Sequence, residues 1–536
     1  MAATTIRPAT LFIAIAALAA SLSFGAPARA QVTAYMQSVA EAAASDRDLA
    51  AFYRSNAYQP IWTGDDALSK QRREALLRAL QDAPVHGLPI GRYDLDGLDL
   101  NLRQITSERA LGQAEVEMTK LFLQYARDVQ TGLLNPKSVD SGIVREVPHR
   151  DRDDLLAAFA KSNASAFLRS LPPQTPEYAR LMKEKMRYEA LIAGGGWGEQ
   201  VNARKLEPGD SGKAVVQLRN RLIAQGYMPR SATSTYDTKM RQAVSAFQSD
   251  HGLISDGVAG ANTIKEINAS AEKRLSQVLV AMERERWTNM PRGERHIWVN
   301  ITDFQAKIID DGKVTFATKS VVGHRDLDRR TPEFSDVMEH MVINPTWNVP
   351  RSIATKEYLP LLQQNPYAVS HLKLINRRGQ VVSRERVVDF NQFTARNFPF
   401  DMKQAPGRSN ALGLVKFMFP NRHNIYLHDT PAKKLFGRDV RAFSHGCVRL
   451  NDPFDFAYAL LAKQEEDPKG TFQRILGTGR ETQVDLVKQV PVHIVYRTAY
   501  TQAKGRTQFR IDVYGRDARI WNALEAAGVS LATGQG

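Results

Sequence analysis

Along residues 31–200 apolar side chains recur every three or four positions, as in 72–80 (RREALLRAL) and 111–129, the period of helices that bury one face. No catalytic residue types cluster there, and the segment reads as a helical scaffold. Glycines 194, 195, 196 and 198 mark its end. A compact unit follows over 205–270. The turn Pro208-Gly209-Asp210-Ser211-Gly212 places Asp210 or Ser211 to cap a helix carrying Val215, Leu218 and Leu222. A second helix after Asp237 carries Met240, Val244 and Phe247, and a short third carries Ile264 and Ile267. A charged stretch over 271–290 reads as a linking helix. The period then switches to two. Strands are predicted at 295–301, 304–309, 314–322, 338–343, 415–419, 424–428 and 490–496, with a hairpin turn at Asp310-Asp311-Gly312-Lys313. This mostly-β domain, 291–500, is interrupted by an insertion over 351–408 with a helix at 352–364, a length that marks a functional segment or a subdomain. Residues 501–536 are left as a C-terminal extension. The fold class expected is multidomain α+β.

The first thirty residues show a basic start at Arg7, an apolar run over 11–22 and the small-residue site Ala28-Arg29-Ala30, which together predict an export signal. The run is short for a bilayer span, which needs about 20 residues; an uncleaved anchor stays open. The expected location is the periplasm or cell envelope, where free thiols are oxidised. The chain nevertheless keeps one cysteine, Cys447. A lone thiol cannot form an internal disulfide, so it is either a small buried hydrophobe or a nucleophile. The formal charge of +15, from 72 basic and 57 acidic residues, is spread along the chain. No nucleic-acid motif accompanies it, and an anionic envelope polymer or membrane surface is the better match.

Acyl transfer by a thiol needs a base, an orienting group for that base, and donors for the oxyanion. Strand alternation at 424–428 (NIYLH) puts Asn424, Tyr426 and His428 on one face. Eighteen residues separate His428 from Cys447, enough for a loop to leave a strand and return beside it. A helix starting near Asp452-Pro453 lies too far from Cys447 for its dipole to matter. Activation therefore falls to a histidine, His428 or His445.

Two stretches resemble known families. The order DSGxxVxxLxxxLxxxGY…AVxxFQxxHGLxxDGVAGxxT over about 60 residues resembles the three-helix peptidoglycan-binding module, which implies wall binding. The string H-D-T-(13 residues)-S-H-G-C-V-R-L, with 321–334, 344–360 and 406–431 in support, resembles the L,D-transpeptidases with a YkuD-type catalytic domain, in the large YcbB-type branch. That resemblance implies Cys447 as nucleophile and His428 as base, the latter oriented by a backbone carbonyl, that of Asp429. It makes His445 a positioning group and puts the oxyanion donors near Ser444, Gly446 and Cys447. Arg449, which shares strand parity with Cys447, is placed to hold a substrate carboxylate, and Tyr426 to line the pocket.

The implied reaction cleaves D-alanine from a tetrapeptide donor through a thioester and joins the acyl group to the diamino acid of another stem, a 3→3 cross-link. It needs no cofactor and no metal. The implied partners are peptidoglycan stems, with other wall synthases open and no nucleic acid. Rival readings are a thiol carboxypeptidase or peptidase with water as acceptor, a zinc site from His423, His428, His445 and Cys447, and a non-catalytic wall-binding protein.

Overall fold

The computed structural model describes residues 33–94, 105–386 and 389–531. The expected signal, 1–30, lies outside the described residues. Among those residues no helix is long and apolar enough to cross a membrane.

The helical period over 31–200 is realised in amphipathic helices, among them Ala67–Gln81 and Glu108–Thr131, each started by a side-chain cap (Asp66, Ser107). They pack around Trp62, Phe122 and Phe159 in one apolar core. The next unit has three helices, Lys213–Ala224, Thr238–Asp250 and Ala261–Ile267, closing on Leu218, Val244 and Phe247. Its first cap differs from expectation. Gly212 stands at the cap with no side-chain bond, because the Asp210 carboxylate turns back to the Glu207 N–H at 2.8 Å.

The β-domain contains β1 (Arg295–Asn300), β2 (Gln305–Asp310), β3 (Lys313–Gly323), β4 (Phe334–Ile343), β5 (Trp347–Asn348), β6 (Lys373–Ile375), β7 (Val381–Val382), β8 (Asp401–Gln404), β9 (Val415–Met418), β10 (Leu427–His428), β11 (Ala442–Ser444), β12 (Val448–Leu450) and β13 (Thr482–Val495). β2 and β3 join through Asp311 and Gly312, both at positive φ, the turn that suits strand twist. The main sheet runs β11-β3-β12-β10-β9-β4-β13-β1-β2, and β2 also pairs with β3, so eight strands close into a ring with β11 attached outside it. Ile297, Met341, Phe417, Leu427 and Leu450 fill its core.

The insertion is a subdomain with its own four-stranded sheet, β5-β8-β6-β7, and a core around Leu362, Leu374 and Met402. Its helix runs as Arg351–Ile353, a π-helical turn Ala354–Tyr358, and Leu359–Gln364.

Two expectations are corrected. The Ala271–Trp287 helix does not simply link domains, since every residue from Arg274 to Trp287 is buried. Its charges are paired: Arg284 with Glu333 at 2.6 Å and Asp517 at 2.7 Å, Arg286 with Glu283 at 2.8 Å, and Glu285 with Arg292 and Arg497. The described part of the C-terminal extension, 501–531, is likewise no mere appendage. Gln508–Phe509 pairs with Ala499–Tyr500, and the Arg516–Ala526 helix packs on the Ala271–Trp287 helix. Arg516 reaches both Glu333 of the β-domain and Asp140 of the scaffold.

Candidate active site

Two short parallel strands set the site. Leu427 of β10 lies opposite Val448 of β12 and His428 opposite Arg449, while the Val448 N–H donates to the Tyr426 carbonyl at 3.1 Å. Alternation buries Leu427, Val448 and Leu450 in the ring core and leaves Tyr426, His428, Cys447 and Arg449 on the other face. The Tyr426 and His428 rings meet edge to face, centroids 5.7 Å apart.

His428 is 3% exposed, and its Nδ1 donates to the Asp429 carbonyl at 2.5 Å. A carbonyl only accepts, so Nδ1 carries the proton and Nε2 keeps its lone pair. Burial lowers the imidazole to about 3, helped by the Arg449 charge and opposed by the Asp429 and Leu412 carbonyls. Asp429 is held in turn: its carboxylate accepts the Leu414 N–H and the Lys433 ammonium, each at 2.9 Å.

Cys447 is half-buried and donates its thiol proton to the Asn424 carbonyl at 3.3 Å. Burial pushes the thiol up to about 11, although hydrogen bonds from Tyr426 and the charge of Arg449 pull the other way. Thiol and imidazole are thus both uncharged at neutral pH. The Arg449 Nε is buried without a hydrogen-bond partner.

Asn424 departs from expectation. It is not in the strand; its φ of +53° turns the chain, so it supplies a carbonyl to the thiol rather than a side chain to the shared face. Asparagine tolerates that conformation better than most residues, which was the available signal. Gly446, at φ +109°, packs so closely that an added Cβ would lie 3.0 Å from Ile425 Cδ1. Ser444 is buried, and its carbonyl accepts the His324 N–H at 2.7 Å.

His445 is engaged by the inserted subdomain. Its Nε2 lies 2.6 Å from the Glu357 carboxylate of the inserted subdomain, and Glu357 also pairs with Arg329 at 3.1 Å. Beside them Lys356 pairs with Asp328 at 2.9 Å. Tyr426 packs on the insertion's apolar core. The insertion therefore borders the site on two sides. Glu357 sits 88 residues from His445, and no local pattern announces it.

The residues of the zinc alternative are dispersed. The His423 ring packs on Phe334 and His445 faces Glu357. Among the described residues no group of three or more His, Cys, Asp or Glu converges as metal ligands would. What the face offers is a protonated thiol, a neutral oriented imidazole and an unpaired guanidinium nitrogen, a set suited to addition of sulfur to a carbonyl.

Comparison with known proteins adds names. Residues 294–492 match the family model of the L,D-transpeptidase catalytic domain (YkuD), 211–267 that of the "Putative peptidoglycan binding domain", and 47–184 that of a scaffold domain. A "Putative L,D-transpeptidase" of Haemophilus influenzae is 33% identical over 258 residues, 47% of this chain and 51% of that protein. The match spans about half the length of that relative. Among solved structures, an L,D-transpeptidase from Stackebrandtia nassauensis is 14% identical, covering 56% of this chain and 97% of its own, with a TM-score of 0.22. Residues 123–326 of one from Xylanimonas cellulosilytica are 13% identical, covering 55% of this chain and all of that one, with a TM-score of 0.17.

Proposed function

We propose that this chain, which carries an L,D-transpeptidase catalytic domain and a peptidoglycan-binding domain, forms 3→3 cross-links between wall stem peptides through a thioester on Cys447. The N-terminal pattern of residues 1–30 supports a place in the periplasm, facing that substrate.

The observation that carries the reading is the shared face of β10 and β12, where His428, its Nδ1 held by the Asp429 carbonyl, lies diagonally from Cys447. As the thiol proton passes to Nε2, sulfur adds to the carbonyl of the third, diamino-acid residue of a tetrapeptide, and the carbonyl electron pair moves to oxygen. Collapse restores the carbonyl and expels D-alanine, whose nitrogen takes the proton from His428. The side-chain amine of a second stem then adds to the thioester. It loses a proton to His428, and collapse returns the thiolate, which recovers that proton. One amide is exchanged for another, so no nucleotide is consumed.

Arg449, with its unpartnered Nε, is suited to a stem carboxylate. The insertion acts as a cap. By closing on His445 through Glu357 and on Tyr426 through its core, it limits water at the thioester. The test is incubation with purified disaccharide-tetrapeptide followed by mass analysis. Dimers lacking one D-alanine are expected. Tripeptide alone would make the protein a carboxypeptidase, and no conversion would refute the reading.

A further inference from the structure

We infer that Thr331 is a positioning residue for acyl transfer: it holds the Gly446–Cys447 peptide so that the Cys447 N–H faces the oxygen of the acyl donor. The inference rests on the acyl-transfer reading above and names how that site gains its oxyanion donor.

Thr331 is wholly buried, with no exposed surface. Its Oγ1 accepts the Gly323 N–H at 2.9 Å and lies 2.7 Å from the Gly446 carbonyl. A hydroxyl has one hydrogen, and the carbonyl can only accept it, so Thr331 donates to Gly446. The peptide linking Gly446 to Cys447 is planar and trans, which points the Cys447 N–H opposite to that carbonyl. Among the described residues this N–H makes no backbone hydrogen bond. It belongs to the residue whose sulfur attacks, so it is within reach of the oxygen that gains charge.

The hydroxyl cannot easily turn elsewhere. Thr331 is β-branched and precedes Pro332, which restricts both its χ1 and its backbone. Gly323 packs so tightly that an added Cβ would lie 2.1 Å from the Arg329 carbonyl. From behind, Tyr514 donates to the Gly323 carbonyl at 2.6 Å and accepts the Thr331 N–H at 3.3 Å, while Arg516 donates to the Thr331 carbonyl at 3.2 Å. The two ends of the 323–331 loop, Gly323 and Thr331, are therefore tied together as a brace under the turn that carries the nucleophile.

The test compares Thr331→Val and Thr331→Ser in the full chain, reading acyl-enzyme formation from tetrapeptide by intact mass and alkylation of Cys447 by iodoacetamide. Alkylation displaces iodide at a saturated carbon and develops no oxyanion. In T331V, kcat for acylation should fall about 10- to 100-fold with KM changed less than about twofold, because a misplaced donor acts on the transition state. Alkylation should keep its wild-type rate, and T331S, which retains the hydroxyl, should restore acylation. If valine does not fold, alanine removes the same hydroxyl and carries the same expectation. Unchanged acylation in the hydroxyl-free variant, a parallel loss of alkylation, or a serine variant as impaired as valine would overturn the assignment. A wild-type protein that alkylates but forms no acyl-enzyme overturns the acyl-transfer reading, and this inference with it.

Discussion

The molecule contains two buried polar regions with opposite electrostatics. Around the Ala271–Trp287 helix, buried charges come in matched sets: Arg284 between Glu333 and Asp517, Arg516 against Glu333 and Asp140, Glu285 between Arg292 and Arg497. On the face of β10 and β12 the neighbouring charge is Arg449, which disfavours an imidazolium on His428 and favours a thiolate on Cys447 without offsetting its burial, so both groups stay neutral. Burial penalises charge in both places. Where matched partners are supplied the charge survives and joins domains; where burial outweighs the one neighbouring charge the groups stay uncharged. The first arrangement fixes structure, and the second keeps a proton ready to move.

The comparison breaks most severely at the thiol. Cys447→Ala should lower cross-linking at least about a thousandfold, and His428→Ala similarly, since the two act as one unit. Both losses would be read as dimer by mass analysis. Cys447→Ala should leave the thermal midpoint nearly unchanged; substantial dimer formation by it would sink the assignment.

In the charged region the expected loss is of stability. Glu333→Gln removes the carboxylate shared by Arg284 and Arg516 and should cost about 3–5 kcal/mol, because it strands buried guanidinium charge. Urea denaturation measures it. A cost under about 1 kcal/mol, the value of an exposed pair, would mean water reaches this region.

The pH response sharpens the contrast. With the thiol near 11 and the imidazole near 3, acylation should be flat across neutral pH and fall only as His428 gains its proton or Cys447 loses its own. Alkylation of Cys447, which needs thiolate, should rise about tenfold per pH unit through pH 9. An alkylation plateau near pH 7 would instead indicate a resting thiolate–imidazolium pair. For stability the sign is fixed. The folded state holds His428 neutral, the unfolded chain binds a proton below its ordinary value of 6.5, and this contribution is therefore lost as pH falls from 6.5 toward 3.

The smallest effect is expected at the partly exposed contact of the insertion with His445. Glu357→Gln should raise the ratio of hydrolysed tripeptide to dimer about two- to fivefold, in keeping with the modest worth of such pairs. An unchanged ratio would separate Glu357 from water exclusion.

Period-two alternation made the shared face of Tyr426 and His428 legible in advance, and the parity of Cys447 with Arg449 followed from the same rule. The error at Asn424 came from extending that rule beyond the strand, which begins at Leu427, into a turn held by Asn421, whose side chain accepts the His423 and Ile425 N–H groups. The charged Ala271–Trp287 stretch read as a linking helix; only the fold shows that it is buried and that its partners, Glu333, Arg497 and Asp517, arrive from distant segments. Glu357 and Thr331 were unreadable for the same reason. Each acts through one contact made across a domain, and neither contact has a sequence period.

The position of Arg516 also bears on how the chain is made. Its guanidinium is buried between scaffold and β-domain, meeting Asp140 of the one and Glu333 of the other. This residue follows both domains in the chain, after Asp140 and after Glu333. Each domain can collapse on its own apolar core as it emerges, but their joint, and the Thr331 brace that Arg516 supports, can lock only once the helix that carries Arg516 has been made.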